Sequence, residues 1–283
     1  MSLSNLPKLV LCSLLLVGPL VADADYTDAD LGVSIDYSRF ATQGGVYLDI
    51  YLLVPISNFT YNQAEEGLES TVVFQTALLE GDVVPYRPDQ WQRSYRVAGE
   101  EELQSQSFAP EISKFYAAPG DYILQVDILD ANSNRRQRIR KPVNLKAFPD
   151  TVLSMSDITV ASRISKASQK TEFTKYGYDI VPHAERTFSL TAPMLYYFFE
   201  AYGLTKGGDY RVKTVVRSIN GDLVKELPEK VNQAPAPAVV EWGGFNSAGL
   251  KSGIYKLYIS VEDQVSGKEV TENKSIFMLR PIR

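Results

Sequence analysis

Cysteine and histidine are almost missing from these 283 residues, with one of each. The single cysteine, Cys12, lies inside an N-terminal apolar run, so the rest of the chain has no thiol. That excludes disulfides, thiolate metal sites and cysteine nucleophiles from it. With His183 alone, the paired histidines of most zinc hydrolases cannot be assembled, and a Ser-His-Asp arrangement would have to use that one imidazole. His183 follows Pro182 and reads as a solvated loop residue. No Gly-x-Ser-x-Gly, phosphate loop or dinucleotide fingerprint occurs, and Gly207-Gly208 and Gly243-Gly244 read as turns. Positive charge is not in excess either. A net charge of −5 gives no reason to expect nucleic acid or an anionic membrane surface as partner. Catalytic residues, cofactor and metal are therefore all expected to be none.

What is present begins with a targeting signal. Lys8 precedes an apolar run from Leu9 to Ala22, and Ala22-Asp23-Ala24 fits small-x-small cleavage. Residues 1–24 read as a leader cut after Ala24, and the protein as exported. A lipid-modified Cys12 is disfavoured, because bulky Leu11 precedes it and most of the apolar run follows it. No later apolar stretch is long enough for a transmembrane span.

Aromatic residues are plentiful, with 17 Tyr and 12 Phe, and strand-like alternation dominates the remainder. Val46 to Val54 is a dense β-type run ended by Pro55, and Thr71 to Leu79 is another. Gly120-Asp121-Tyr122 leads into Leu124, Val126, Ile128 and Asp130. Gly253-Ile254-Tyr255 leads into Leu257, Ile259, Val261 and Asp263 in the same spacing. Upstream, Gly81-Asp82 and Gly221-Asp222 close corresponding hairpins. Two landmarks in one order indicate a duplicated domain. The expected fold is all-β: two consecutive immunoglobulin/fibronectin-III-like β-sandwich domains, over residues 25–147 and 150–283. In each, glycine permits the turn and the tyrosine hydroxyl reaches back to backbone, as in a tyrosine corner. Gln90 to Glu102 and Ser156 to Lys170 have weak helical patterns but read as strand or irregular edge.

Chemistry-bearing candidates are few. Arg136, Arg138 and Arg140 project to one strand face, either as a patch for an acidic partner or as a solvated edge that blocks aggregation. Asp127, Asp130 and Asn132 lie close together but lack the spacing of a calcium loop. Glu65-Glu66 and Glu100-Glu101-Glu102 read as solvated surface. In Met194 to Tyr202, alternation puts Leu195, Tyr197 and Phe199 on one face and Tyr196 and Phe198 on the other. The first face should be core. The second is expected to meet the first domain, or else to offer a ligand platform.

These segments resemble a known family. Leu153 to Ile158 with Ala161, Ser162 and Ile164, and Pro193 to Phe198 with Glu200, Tyr202, Gly203 and Leu204, are similar to the second sandwich of GWxTD-domain proteins. The Gly253-Ile254-Tyr255 strand and Tyr47 to Pro55 are similar too. The Gly-Trp-x-Thr-Asp motif itself is absent, since Glu241-Trp242-Gly243-Gly244 does not match it. The chain thus resembles the two-sandwich portion alone. The resemblance implies an exported bacterial protein, periplasmic or cell-envelope associated, with no catalytic residues to carry over. Two functions fit: a non-enzymatic binding or scaffold component with protein partners in the envelope, or a carbohydrate-acting protein that binds or hydrolyses glycan.

Overall fold

Apolar side chains at period two set the strands, and glycine, proline and aspartate end them. The computed structural model describes residues 26–104, 107–149 and 151–281. The leader expected over 1–24, with Cys12, lies outside the described residues. The first sandwich contains β1 (Thr27–Asp28), β2 (Ser34–Thr42), β3 (Gly45–Pro55), β4 (Asn62–Gln63) and β5 (Leu68–Leu79). It continues with β6 (Asp89–Val97), β7 (Phe108–Ala117), β8 (Gly120–Asp130) and β9 (Arg135–Leu145). One sheet is β2-β3-β7; the other is β1-β9-β8-β5, with β4 and β6 also on β5.

The second sandwich contains β10 (Ser154–Met155), β11 (Thr159–Lys166), β12 (Thr174–Lys175), β13 (Tyr178–Pro182), β14 (Thr187–Phe188) and β15 (Met194–Tyr202). It continues with β16 (Asp209–Ser218), β17 (Leu223–Glu226), β18 (Lys230–Gln233), β19 (Val239–Asn246), β20 (Gly253–Asp263) and β21 (Lys268–Met278). Here β15 lies between β19 and the pair β10 and β11, and β13 and β12 extend that sheet. The facing sheet is β14-β21-β20-β16, with β17 and β18 on β16. The protein is all-β, two consecutive immunoglobulin/fibronectin-III-like sandwiches.

The internal repeat is visible at atomic detail. Short β1 runs parallel to β9, and β14 runs parallel to β21. Tyr122 Oη donates to Ala118 O at 3.2 Å, and Tyr255 Oη to Lys251 O at 3.1 Å, each four residues upstream. Both are tyrosine corners, with rings 7% and 8% exposed. Asp130 and Asp263, each closing its strand, are buried. Asp130 accepts from Thr60 N and Asn132 N, and Asp263 from Thr205 N and Val265 N. Each aspartate thus ties its hairpin turn to the same distant loop of its own domain. The turns match as well: Asn134 (φ 55°) and Gly267 (φ 68°) take the left-handed position immediately before the next strand.

The glycine of the repeat does different jobs in its two copies. Gly120 has no positive φ, and a Cβ there would meet the Tyr122 ring at 3.2 Å, so it makes room for the ring. Gly253 has φ 153°, a backbone that side chains rarely adopt, so there glycine permits the turn as expected. The weakly helical segment after Gln90 runs as strand to Val97 and then forms a short helix, α1 (Glu100–Gln104). The segment after Ser156 is chiefly strand β11.

Each sandwich has its own core. The first includes Leu48, Ile50, Phe74, Leu124 and Val126; the second includes Leu195, Tyr197, Phe199, Leu257 and Ile259. A third cluster crosses between them, with Phe40 of the first sandwich against Ala161, Ile164, Ile180 and Phe198 of the second. Fully burying side chains of this size contributes about 1.5–3 kcal/mol each.

Candidate functional site: the buried junction between the sandwiches

The outer face of the β2-β3-β7 sheet does not meet water in the usual way. Alternation sends Val46, Leu48, Ile50, Leu52 and Val54 of β3 into the core, so Tyr47, Asp49 and Tyr51 point out of it. Register places Phe40 beside Tyr47 and Ser38 beside Asp49. On β15 of the second sandwich, Leu195, Tyr197, Phe199 and Ala201 are core, so Tyr196, Phe198, Glu200 and Tyr202 face the other way. These two faces dock on each other.

Polar contacts fix the docking. Arg39 grips Asp157 through two side-chain hydrogen bonds, Nε to Oδ2 at 2.8 Å and Nη2 to Oδ1 at 2.6 Å. Thr159 Oγ1 donates to Ser38 Oγ at 2.8 Å and lies 3.2 Å from Tyr51 Oη. Tyr202 Oη accepts from Ala41 N at 3.0 Å and donates to Glu200 Oε2 at 2.9 Å. At the far side, Lys274 Nζ donates to Asp36 Oδ1 at 2.9 Å.

The centre of the junction is a lysine. The β12–β13 hairpin turns through Tyr176 and Gly177, both at positive φ, and thereby delivers Lys175 into the first sandwich. Its Nζ lies 3.4 Å from the Phe40 ring centroid and 4.8 Å from that of Tyr47. It sits 2.7 Å from Asp49 Oδ2, an ion pair not aligned as a hydrogen bond. The Asp49 side chain is 1% exposed and that of Lys175 14%. Asp49 Oδ2 also accepts from Tyr51 Oη at 3.3 Å, while Oδ1 has no hydrogen-bond partner. Desolvation lowers the Lys175 ammonium pKa, against the pull of Asp49. Burial raises the Glu200 carboxyl, opposed by Lys175 and by hydrogen bonds from Tyr202 and Tyr176. A cleft of about 280 Å³ opens beside this group, lined among others by Tyr47, Tyr116, Tyr176, Lys114 and Glu200.

The residues singled out from sequence fall elsewhere or are not free. Phe198 is 2% exposed and packs on Phe40 in the third core, so it offers no surface to a partner. Tyr196 is half-buried against the same cluster. Arg136 is 7% exposed and pairs with Asp28 at 2.8 Å; residues 27–33 run along the first part of β9, which is therefore not an open edge there. Arg138 pairs with buried Asp127, and Arg140 Nε donates to Gln125 Oε1 at 2.8 Å. Asp127 is thus held by arginine, and Asp130 by its turn. His183 is not a solvated loop residue: it is half-buried, its ring edge-on to Phe188 at 5.1 Å, and desolvation lowers its pKa. Glu65, Glu66 and Glu100 to Glu102 are exposed.

Asp49, Lys175 and Glu200 were not found from sequence. A local signal did exist for two of them. Asp49 is the lone charge in Val46 to Val54, and Glu200 the lone charge in Met194 to Tyr202. Both fall on the non-core face of a dense apolar strand.

No protein-family profile and no curated protein matches the chain. Among solved structures, red sea bream transglutaminase aligns over 88% of this chain and 31% of its own length, at 9% identity and TM-score 0.25. The chain thus spans under a third of that enzyme. The fibronectin(III)-like modules of Clostridium thermocellum CbhA align over 88% and 94% of the two chains, at 16% identity and TM-score 0.22. The C-terminal domain of the Streptococcus pyogenes antigen I/II-family protein AspA aligns over 87% and 99%, at 8% identity and TM-score 0.24. Among the described residues, no helix is long and apolar enough to cross a membrane.

Proposed function

We propose that this is an exported, non-enzymatic binding or scaffold component of a bacterial cell envelope or periplasm. The leader-like residues 1–24 and the resemblance to GWxTD-domain proteins support export and the envelope. The observation that carries the scaffold reading is the junction. Arg39–Asp157, Lys274–Asp36 and Lys175–Asp49 commit charged groups to holding two sandwiches in one orientation. A fixed two-domain bracket presents surfaces at a set spacing, which suits assembly. Its partners are proteins of the envelope. Cross-linking in intact cells followed by purification tests this, with a stoichiometric envelope protein as the expected capture and recovery of the chain alone as the result against it.

A second reading is carbohydrate action, favoured by one feature. Tyr116 and Tyr176 are 67% and 62% exposed and line the cleft beside Glu200. Aromatic faces and a carboxyl suit a sugar ring. Glycan binding or hydrolysis that is lost in Tyr116→Ala would favour this reading over the scaffold.

A further inference from the structure

We infer that Lys175 and Asp49 are set to join through their side chains in an intramolecular amide bond, a covalent tie between the two sandwiches. This goes beyond the scaffold reading and does not depend on which partner the protein binds. Three observations converge on it. The nucleophile and the acyl carbon are adjacent, since Lys175 Nζ lies 2.7 Å from Asp49 Oδ2 and the carboxyl carbon is one bond behind that oxygen. The pair is incompletely hydrogen-bonded, with Nζ outside hydrogen-bond alignment and Oδ1 without a hydrogen-bond partner. The Asp49 side is aromatic and nearly dry, with Phe40 and Tyr47 against the amine and a cavity of about 10 Å³ with room for no more than about one water, while Lys175 also lines the open cleft of about 280 Å³.

Burial of two opposite charges in such a place carries a desolvation penalty for each ion. Desolvation favours the neutral amine of Lys175, against the pull of Asp49. The step balances without any further reagent. The lysine ammonium gives a proton to the carboxylate, making a free amine and a carboxylic acid. The amine lone pair attacks the Asp49 carboxyl carbon and forms the C–N bond. The hydroxyl leaves with a proton from nitrogen, so the C–O bond breaks and one water is released. Nothing is oxidised or reduced. Glu200, held by Tyr202 and lining the same cleft as Lys175, is the proton carrier between nitrogen and the departing hydroxyl. Its raised pKa suits it to both roles. Fixed juxtaposition of this kind supplies effective molarities on the order of 10⁵–10⁸ M, which is how an amide can form without activation. The bland alternative is a buried ion pair that never reacts.

Intact mass and peptide mapping of the purified, folded full chain decide between the two. The wild type should be lighter than its sequence by one water, once compared with Lys175→Arg and corrected for that substitution. Proteolysis should yield one cross-linked peptide pair joining residues 49 and 175. Asp49→Asn keeps the shape of the side chain and should lose ammonia instead, ending as the same linked product. Glu200→Gln should form the link roughly 10²-fold more slowly or worse, while the folded spectrum is retained. Wild-type protein at full linear mass, with residues 49 and 175 on separate peptides, would overturn the inference. Linking of Glu200→Gln at the wild-type rate would overturn the role of Glu200.

Discussion

Two tyrosines and two aspartates recur at equivalent positions, and each pair makes a specific prediction. Tyr122→Ala and Tyr255→Ala should each cost about 3–5 kcal/mol by analogy with other aromatic truncations. The Phe variants keep the ring and lose only the hydroxyl's bonds, those to Ala118 and Tyr86 or the one to Lys251, which should cost about 0.5–1.5 kcal/mol for each bond. Tyr258 lies on the opposite face and is half-buried, so its Ala variant should cost less. Chemical denaturation of the single variants measures all of these. Equal losses at Tyr255 and Tyr258 would contradict the strand register. Asp263 adds a pH dependence. Burial alone would raise its carboxyl, but hydrogen bonds from Thr205, Val265 and Ser266 outweigh it and hold the pKa at about 2, below the ordinary 3.8. A depressed acid contributes stability that is complete above its unfolded value and is lost as the pH falls toward the folded one. Stability should therefore drop between about pH 4 and pH 2, and Asp263→Asn should flatten that part of the profile in denaturation measured against pH.

At the level of strands and turns, most of the fold was legible because its signals are local. The alternation in β8 and β20 and the turn residues after Asp130 and Asp263 all sit within a dozen positions of one another. The two faces of β15 were legible for the same reason. The junction was legible only in part: the Tyr196 and Phe198 face was expected to meet the first domain and does, but the key pair joins strands far apart in sequence, and neither a lone lysine nor a lone aspartate carries a pairing signature. Arg136 misled for a related reason: a run of arginines reads as exposed, and only the chain before β2 shows that it is covered. His183 likewise depends on Phe188 folding back against it. The matched turns give an element-scale prediction. Asn134 already occupies the position that Gly267 holds, so Gly267→Asn should be nearly neutral. Gly267→Val should cost about 1–2 kcal/mol, because a branched residue resists left-handed backbone. Thermal or chemical unfolding of the two variants checks this, and equal destabilisation would mean that the two turns differ.

For the whole molecule, the account holds that two sandwiches behave as one body because the face between them is buried and charge-paired. Arg39 and Asp157 are only part-exposed, and the Asp157 carboxylate accepts three hydrogen bonds from Arg39, so Asp157→Ala should cost about 1.5–3 kcal/mol and loosen the docking. The loss should appear as weaker amide protection around residues 36–42 and 157–161 in hydrogen exchange, with the two separate cores unchanged. Uniform loss of protection throughout would mean instead that the chain unfolds as a single core. The most direct test of the central claim is backbone NMR relaxation of the wild-type protein. The account predicts that amides of residues 27–145 and 154–278 report one common tumbling time, that of a particle containing both domains. Two distinct and faster tumbling times, one for each sandwich, would show the domains moving independently and would contradict it.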